Sequence, residues 1–346
     1  MGVQTIDATP VTRPSRWRSL VLGLTSSITI LAVLGYWIDW RAALQVLRRV
    51  DAWRLVVPAL VTLAGWPLRP WRWREIFPVA TRPSFRAAFS ALTVGTMANN
   101  VLPGRGGDLL RVVLVAPRGG AVRASLALGT LAVEKILDGL ALLAVLLVAR
   151  LVLDVPAWFA HFALGATLLF GAAIVFVALL RWQRDRLLSI CSAVLRRLHL
   201  PRLADIVVRV GGQFADGLTA LRTAPQWFGV SALTVVIWGL EAVQVWLLAA
   251  AWHIPLPLAA AAVVTAVIGL GMSVPAGPSS LGAYELSGVG GLMLFGVPSA
   301  DALALTLGLH MWMLLNTTIA GAFGFAVGGL RAETVLHAGD AAPADA

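Results

Sequence analysis

A set of charged residues stands where the surrounding chain has almost no polar neighbours. Glu134 and Asp138 lie inside the apolar run 125–153, with Lys135, the only lysine, between them; Glu241 lies inside 226–251. Arg105, Asp108 and Arg111 follow the turn Pro103-Gly104, and Glu285 follows Pro278 and Gly282. An ionised side chain at bilayer depth costs about 3 kcal/mol on insertion scales, so such groups need partners or water. Four-residue spacing puts Glu134 and Asp138 on one helical face. Two carboxylates that close repel unless a cation separates them, and Arg105 and Arg111 are the candidates. The resulting network either locks the helices or lines a polar pathway, and the two roles are compatible.

The charged groups sit beside two matching interruptions. One is Asn99-Asn100-Val101-Leu102-Pro103-Gly104-Arg105-Gly106-Gly107-Asp108, and the other is Val274-Pro275-Ala276-Gly277-Pro278-Ser279-Ser280-Leu281-Gly282-Ala283-Tyr284-Glu285. Backbone that leaves helical geometry inside a bilayer must be buried in protein or line a cavity. Paired broken helices in two halves of an apolar chain point to a transport-type site. The first break offers glycine backbone at Gly104, Gly106 and Gly107, a helix start suited to an anion, and the cations Arg105 and Arg111. No Gly-Lys-Ser/Thr follows, so it is not a nucleotide loop. The second break has no arginine and offers backbone groups, Ser279, Ser280, Tyr284 and Glu285. The candidate substrate-binding set is therefore Asn100, Gly104, Arg105, Gly106, Gly107, Asp108, Arg111, Glu134 and Asp138 from the first half. Pro275, Gly277, Ser279, Ser280, Gly282, Tyr284 and Glu285 come from the second. Glu241, Glu134 and Asp138 are candidates for proton or ion coupling. His310 and Asn316 read as interhelical hydrogen-bonding residues, and His161 and His253 as interfacial ones.

The elements that carry these residues follow from composition. The 346 residues are 59% hydrophobic and 13% charged, with a mean hydropathy of +0.83. Soluble domains carry about 25% charged residues, so the chain reads as an integral membrane protein. Apolar runs at 20–38, 54–68, 86–102, 125–153, 157–180, 226–251, 257–274 and 299–328, with a shorter piece at 286–297, predict an all-α polytopic bundle. The expectation is about seven to eight spans plus two broken re-entrant segments, in two pseudo-repeated halves, about 20–180 and 226–330. Residues 1–19 read as a cytoplasmic tail, 181–225 as a basic linker and 331–346 as a disordered tail. Leu203, Ile206, Val207, Val210, Phe214, Leu218 and Leu221 give that linker an amphipathic helix.

The net charge of +10 is almost all arginine and gathers in short loops. That pattern fits positive-inside topology and anionic lipid and argues against nucleic acid as a partner. The segment 69–86 reads as a cytoplasmic loop with a tryptophan–arginine girdle in which Arg69 and Arg72 snorkel, a substrate-binding role for the two being the alternative. Segment 39–54 is then external despite its arginines, a conflict within the arginine rule. Cys191 is the only cysteine, and no metal-ligand spacing, His-Glu-x-x-His or Gly-x-Ser-x-Gly occurs, so no catalytic residue, metal or cofactor is assigned.

The ordered set Asn100-Val101-Leu102-Pro103-Gly104-Arg105-Gly106-Gly107-Asp108-Leu109-Leu110-Arg111, Glu134, Asp138, Pro275-Ala276-Gly277-Pro278 and Leu281-Gly282-Ala283-Tyr284-Glu285 resembles the lysylphosphatidylglycerol synthase transmembrane region, or flippase-like, family over about residues 18–330. In bifunctional members this region moves aminoacylated phospholipid between leaflets, while a soluble domain transfers the amino acid. The 346 residues include no such domain. The resemblance thus implies a translocase of a phospholipid or lipid-linked glycan in a bacterial inner membrane, with a cytoplasmic N-terminus and membrane lipids as partners. The alternatives are a non-catalytic membrane partner of a lipid or glycan synthase, and an enzyme acting on lipid headgroups within the bilayer. Two departures stand out. Ser279 and Ser280 replace glycine common in relatives, and Asp108 stands where many have Glu.

Overall fold

The computed structural model describes residues 51–102, 105–116, 122–152, 183–198, 223–273 and 277–328, with isolated positions between 45 and 50 and between 159 and 211. The expected span 20–38, most of 157–180, most of the helically spaced 203–221, both tails, and Pro103, Gly104 and Pro275 lie outside the described residues. Within them the protein is helical, with ten α-helices and no strand: α1 Val56–Gly65, α2 Leu68–Ile76, α3 Phe85–Asn99, α4 Gly106–Val115, α5 Ala124–Val152, α6 Arg184–Arg197, α7 Ala224–Ala251, α8 Leu258–Gly271, α9 Ala283–Met293 and α10 Ser299–Gly328. Of these, α7 and α10 are long and apolar enough to cross a membrane, and α8 is a shorter apolar helix. The 29 residues of α5 are also long enough, but Glu134, Lys135, Asp138 and Arg150 interrupt their apolar character.

Helix ends are fixed by local chemistry. Ser84 begins α3 by accepting from the Ala87 amide. Thr223 and Gln226 form a reciprocal capping box at the start of α7, which satisfies two orphan N–H groups. At the far end of α7, the Ala251 carbonyl accepts from the Asp51 amide and the Ala250 carbonyl from Arg54. Residues 51–54 therefore sit at the opposite end of α7 from the arginine-rich linker. In that linker, α6 docks Leu187 and Leu188 against the core built by Trp73, Leu92, Val133 and Val230.

The stretch expected as a loop at 69–86 differs. Residues 68–76 form α2, and Arg72 and Trp73 are fully buried. The apolar run 54–68 accordingly ends as α1 at Gly65 rather than as a full span.

The two interruptions turn the chain back on itself. In the first, α3 and α4 pack so closely that a Cβ at Gly107 would lie 1.9 Å from the Gly95 carbonyl oxygen, and one at Gly95 would lie 2.6 Å from the Gly107 oxygen. In the second, α8 and α9 pack side by side, and the turn between them holds Ser279, Ser280 and Gly282 at φ 60°, 56° and 84°. Both hairpins pack on α10, about 45 Å long at 1.5 Å per residue, but they run in from opposite ends. Arg86, at the start of α3, hydrogen-bonds the Val327 carbonyl, Phe89 meets Phe323, and Asn100 at the tip reaches Thr317. From the other end, Val297 pairs with Leu292 beside the start of α10, Gly288 abuts Thr306, and Glu285 at the tip reaches His310. The tips thus lie within about two turns of each other near the middle of α10.

If the Gly95–Gly107 contact sets the first hairpin, Gly107→Ala is expected to lower the thermal unfolding midpoint in detergent by several degrees. Gly65→Ala, where an added Cβ meets open space, should leave it unchanged or slightly raised. Equal losses at both positions would contradict the packing argument.

Candidate functional site

Between the two tips lies a cavity of about 80 Å³, room for several water molecules at about 10–15 Å³ each, or for a phosphate-sized group. The first hairpin contributes Thr96, Asn99, Asn100 and Arg105, the second Gly277, Ser279 and Ser280, and α10 contributes Thr317. Leu102, Met272 and Met313 close it with apolar surface. Arg105 adopts a left-handed backbone (φ 59°, ψ 36°) immediately before the first turn of α4. The chain therefore places an arginine of the cavity lining at the start of α4. Asn100 is pinned by Thr317 at 2.9 Å and Thr318 at 3.2 Å.

One side of the cavity is backed by an ionic network whose core, Arg72, Arg111, Glu134 and Asp138, is buried. Arg72 is fully buried and grips Asp138 with two bonds, 2.5 and 3.2 Å, while reaching Glu134 at 3.2 Å and Thr234 at 3.1 Å. Such two-pronged guanidinium–carboxylate pairs are among the stronger charge-assisted bonds. Trp238 donates to Asp138 at 2.9 Å. Arg111 meets Glu134 at 3.2 Å and lies over the Trp73 ring, 4.9 Å from its centre. Lys135 reaches Asp108 at 3.2 Å, and Asn99 donates to Asp108 at 3.4 Å. Farther along α7, Glu241 is bound by Arg69 at 2.6 Å, and Gln244 by Thr62.

The cation between Glu134 and Asp138 is thus chiefly Arg72, joined by Arg111 on Glu134; Arg105 is in neither pair. Arg72 comes from a helix 62 to 66 residues away in sequence, and the girdle reading of its neighbourhood hid it. The available signal was the three-residue spacing of Arg69 and Arg72, which puts both on one helical face. In this network four cations, Arg69, Arg72, Arg111 and Lys135, meet four carboxylates, Glu241, Asp138, Glu134 and Asp108. Among the described residues, Arg105 has no carboxylate at ion-pair distance. It lies near enough to act on Asp108, but that carboxylate is held by Lys135 and Arg111.

The other side of the cavity is a second buried centre. Glu285 is the third residue of α9 and accepts from the Gly282 amide at 2.6 Å. Its other oxygen binds His310 Nδ1 in a short contact. His310 Nε2 lies 3.0 Å from the Ser279 hydroxyl and 3.2 Å from the Ser279 carbonyl oxygen. Tyr284 stacks on the imidazole, with ring centres 4.4 Å apart. Hydroxyl, imidazole and carboxylate stand in the order of a nucleophile relay. Acyl transfer also needs free donors for the oxyanion. The three amides that follow Ser279 are engaged: Ser280 on the Gly277 carbonyl, Leu281 on the Pro278 carbonyl and Gly282 on Glu285.

Of the residues expected at the site, Asn100, Arg105, Gly277, Ser279 and Ser280 line the cavity itself. Asp108, Arg111, Glu134 and Asp138 form its ionic backing, and Gly106 and Gly107 shape the α4 start against Leu102 and Gly95. Gly282, Tyr284 and Glu285 build the second centre. Asn316 bonds within its own helix to the Trp312 carbonyl. His253 is exposed and paired with Asp51. His310, read as an interhelical hydrogen-bonding residue, does bond between helices, and one of its partners, Ser279, lines the cavity.

Interrupted helices meeting at a polar cavity, beside helices long and apolar enough to cross a bilayer, define a class: an integral membrane helix bundle with a polar centre between broken helices. The lysylphosphatidylglycerol synthase TM region family matches residues 20–321, and the chain belongs to it. It is also similar to Glycosyltransferase AglD of Haloferax volcanii, 30% identical over 127 residues, which make up 36% of this chain and 20% of that protein. The match therefore spans only about a fifth of that relative. No solved structure matches.

Removing Arg72 would strand the buried Asp138 and take from Glu134 one of its two arginines. Arg72→Met is expected to cost about 3–5 kcal/mol, the penalty of breaking a buried pair, as measured by denaturant unfolding in micelles. Adding Asp138→Asn should recover part of that loss. A double variant no better than the single one would show that the pair is not the source of the stability.

Proposed function

We propose that this chain moves the phosphate-bearing headgroup of a lipid, a phospholipid or a lipid-linked glycan, between membrane leaflets. The observation that carries this reading is Arg105. Every other cation in the ionic network has a carboxylate, while this one has none at ion-pair distance among the described residues and lines the shared cavity at the start of α4. A cation so placed is suited to an anion. The family supports a role in lipid or glycan metabolism, and the relative named a glycosyltransferase favours a lipid-linked sugar as one cargo. The opposed entry of the two hairpins supports alternating access. Rocking one hairpin against α10 would open the cavity to one face and then to the other.

In this reading the protein is an inner-membrane bundle of about seven to eight spans, with re-entrant hairpins in two pseudo-repeated halves, about 20–180 and 226–330. The arginine-rich linker 181–225 and the N-terminus are cytoplasmic by the positive-inside rule. Residues 51–54, at the far end of α7, are then external. The arginine conflict there eases, because Arg54 is spent on the Ala250 carbonyl and Asp51.

The test is leaflet exchange of labelled phosphatidylglycerol and of a polyprenyl-phosphate sugar in reconstituted vesicles. Wild type should accelerate at least one of them over empty vesicles. Arg105→Ala should reduce that rate about tenfold or more, the value of one charge-assisted bond. Arg150→Ala, on an exposed stretch of α5, should leave it unchanged. No acceleration for either lipid, or an unaltered rate in Arg105→Ala, would overturn the reading. A synthase recovered in equal amount together with inactive vesicles would make the chain a non-catalytic partner.

A further inference from the structure

We infer that Ser279, His310 and Glu285 form a proton-binding site linked to anion binding at Arg105, so that a phosphate-bearing anion and a proton load the cavity together. This rests on the translocation reading above and adds what couples it. The carboxylates first suited to such a role, Glu134, Asp138 and Glu241, are each held by an arginine. The Glu285–His310 pair has no guanidinium partner among the described residues. Both members are almost fully buried, at 2% and 3% exposure.

The geometry gives each protonation state of His310 its own partners. With Nδ1–H held by Glu285, the neutral ring presents an Nε2 lone pair that accepts from the Ser279 hydroxyl at 3.0 Å. In the imidazolium, Nε2–H donates to the Ser279 carbonyl oxygen at 3.2 Å, and the hydroxyl is free to turn away. Both oxygens belong to one residue, held in a left-handed backbone at φ 60°. Protonation therefore exchanges one hydrogen bond for another and leaves no buried group stranded, which is what a reversible proton site needs. Histidine changes charge in the range a cell spans.

Charge bookkeeping gives the coupling its sign. The protonated pair is neutral overall and the deprotonated pair carries one negative charge, which His310 and Ser279 link to the cavity that Ser279 and Arg105 both line. An anion arriving at Arg105 takes that counter-charge, so the pair is favoured in its neutral, protonated form. By reciprocity, a proton on the pair strengthens anion binding by the same factor. The other groups facing the pair are few. Tyr284 stacks on the ring, and Glu241 on α7, whose charge acts on Tyr284, is tied to Arg69. Asn100 and Thr317 are neutral and bonded to each other, and Met272 of α8 is apolar.

The experiment is nitrogen NMR of histidine-labelled full chain in nanodiscs, with the signal of His310 among the five histidines assigned by its loss in His310→Gln. Three media are compared over about pH 4 to 9: phosphatidylcholine alone, the same with inorganic phosphate, and a mixture with phosphatidylglycerol. His310 should titrate, and its midpoint should rise by about one pH unit, a tenfold linkage, when the anion is present. A rise with phosphatidylglycerol alone assigns a lipid headgroup; a rise with both assigns any accessible phosphate. Arg105→Gln should abolish the rise. Ser279→Ala, which removes the donor that holds the neutral ring, should raise the midpoint in every medium. A single protonation state throughout, one midpoint in all three media, or a rise that survives in Arg105→Gln would overturn the inference. Leaflet exchange without these shifts sinks the coupling alone, and the shifts without exchange sink the translocation reading alone.

Discussion

The grip of Arg72 on Asp138 and Glu134 is the interaction from which the rest of the architecture hangs. A guanidinium with no exposure, placed between two carboxylates on one face of α5, ties α2 to α5 and, through Thr234 and Trp238, to α7. Glu134 hands the tie on to Arg111 and thus to α4. Desolvating so many charges is costly, and their mutual attraction returns that cost only when the geometry is good and the remaining lone pairs are used. The cluster is thus a constraint more than a source of net stability. It fixes where the first hairpin can turn, and so where Arg105 must stand.

The second constraint is α10. Its small residues let α3 approach closely: a Cβ at Gly324 would meet Thr93, and one at Gly321 would meet Met97. With one hairpin laid along each end of this helix, the unwound backbone of both tips falls near its middle. There the turns can satisfy one another or face a cavity, the two options open to irregular backbone at that depth. The two centres then divide the labour. The ionic network pairs its cations with carboxylates, whereas the Glu285–His310–Ser279 centre pairs a carboxylate with an imidazole and a hydroxyl.

Much of this was legible in the sequence because lipid is an unforgiving solvent. The apolar runs 86–102, 125–153, 226–251, 257–274 and 299–328 return as α3, α5, α7, α8 and α10 to within a few residues. Both interruptions were visible, since Pro and Gly close to a charge have few other readings within such runs. Partners far apart in the chain were not legible. Arg72 looks like an interface arginine because Trp71, Trp73 and Arg74 surround it, and only the carboxylates brought in by α5 make it a buried one. His310 is 25 and 31 residues from its partners, so its role depends on the turn that lifts Ser279 onto α10. The close contact of Gly95 with Gly107 likewise needs the hairpin to exist before it has meaning.

The claim beneath all of this is that the two hairpins enter from opposite ends of α10. Its most direct measurement is the sidedness of single cysteines in a Cys191→Ala background, probed with an impermeant maleimide on right-side-out and inverted vesicles. Ala80, ahead of α3, and His253, ahead of α8, are both exposed positions. The account expects Ala80→Cys and His253→Cys to be labelled from opposite faces. Labelling of both from the same face would mean that the hairpins enter together, and the shared cavity between their tips could not exist as described.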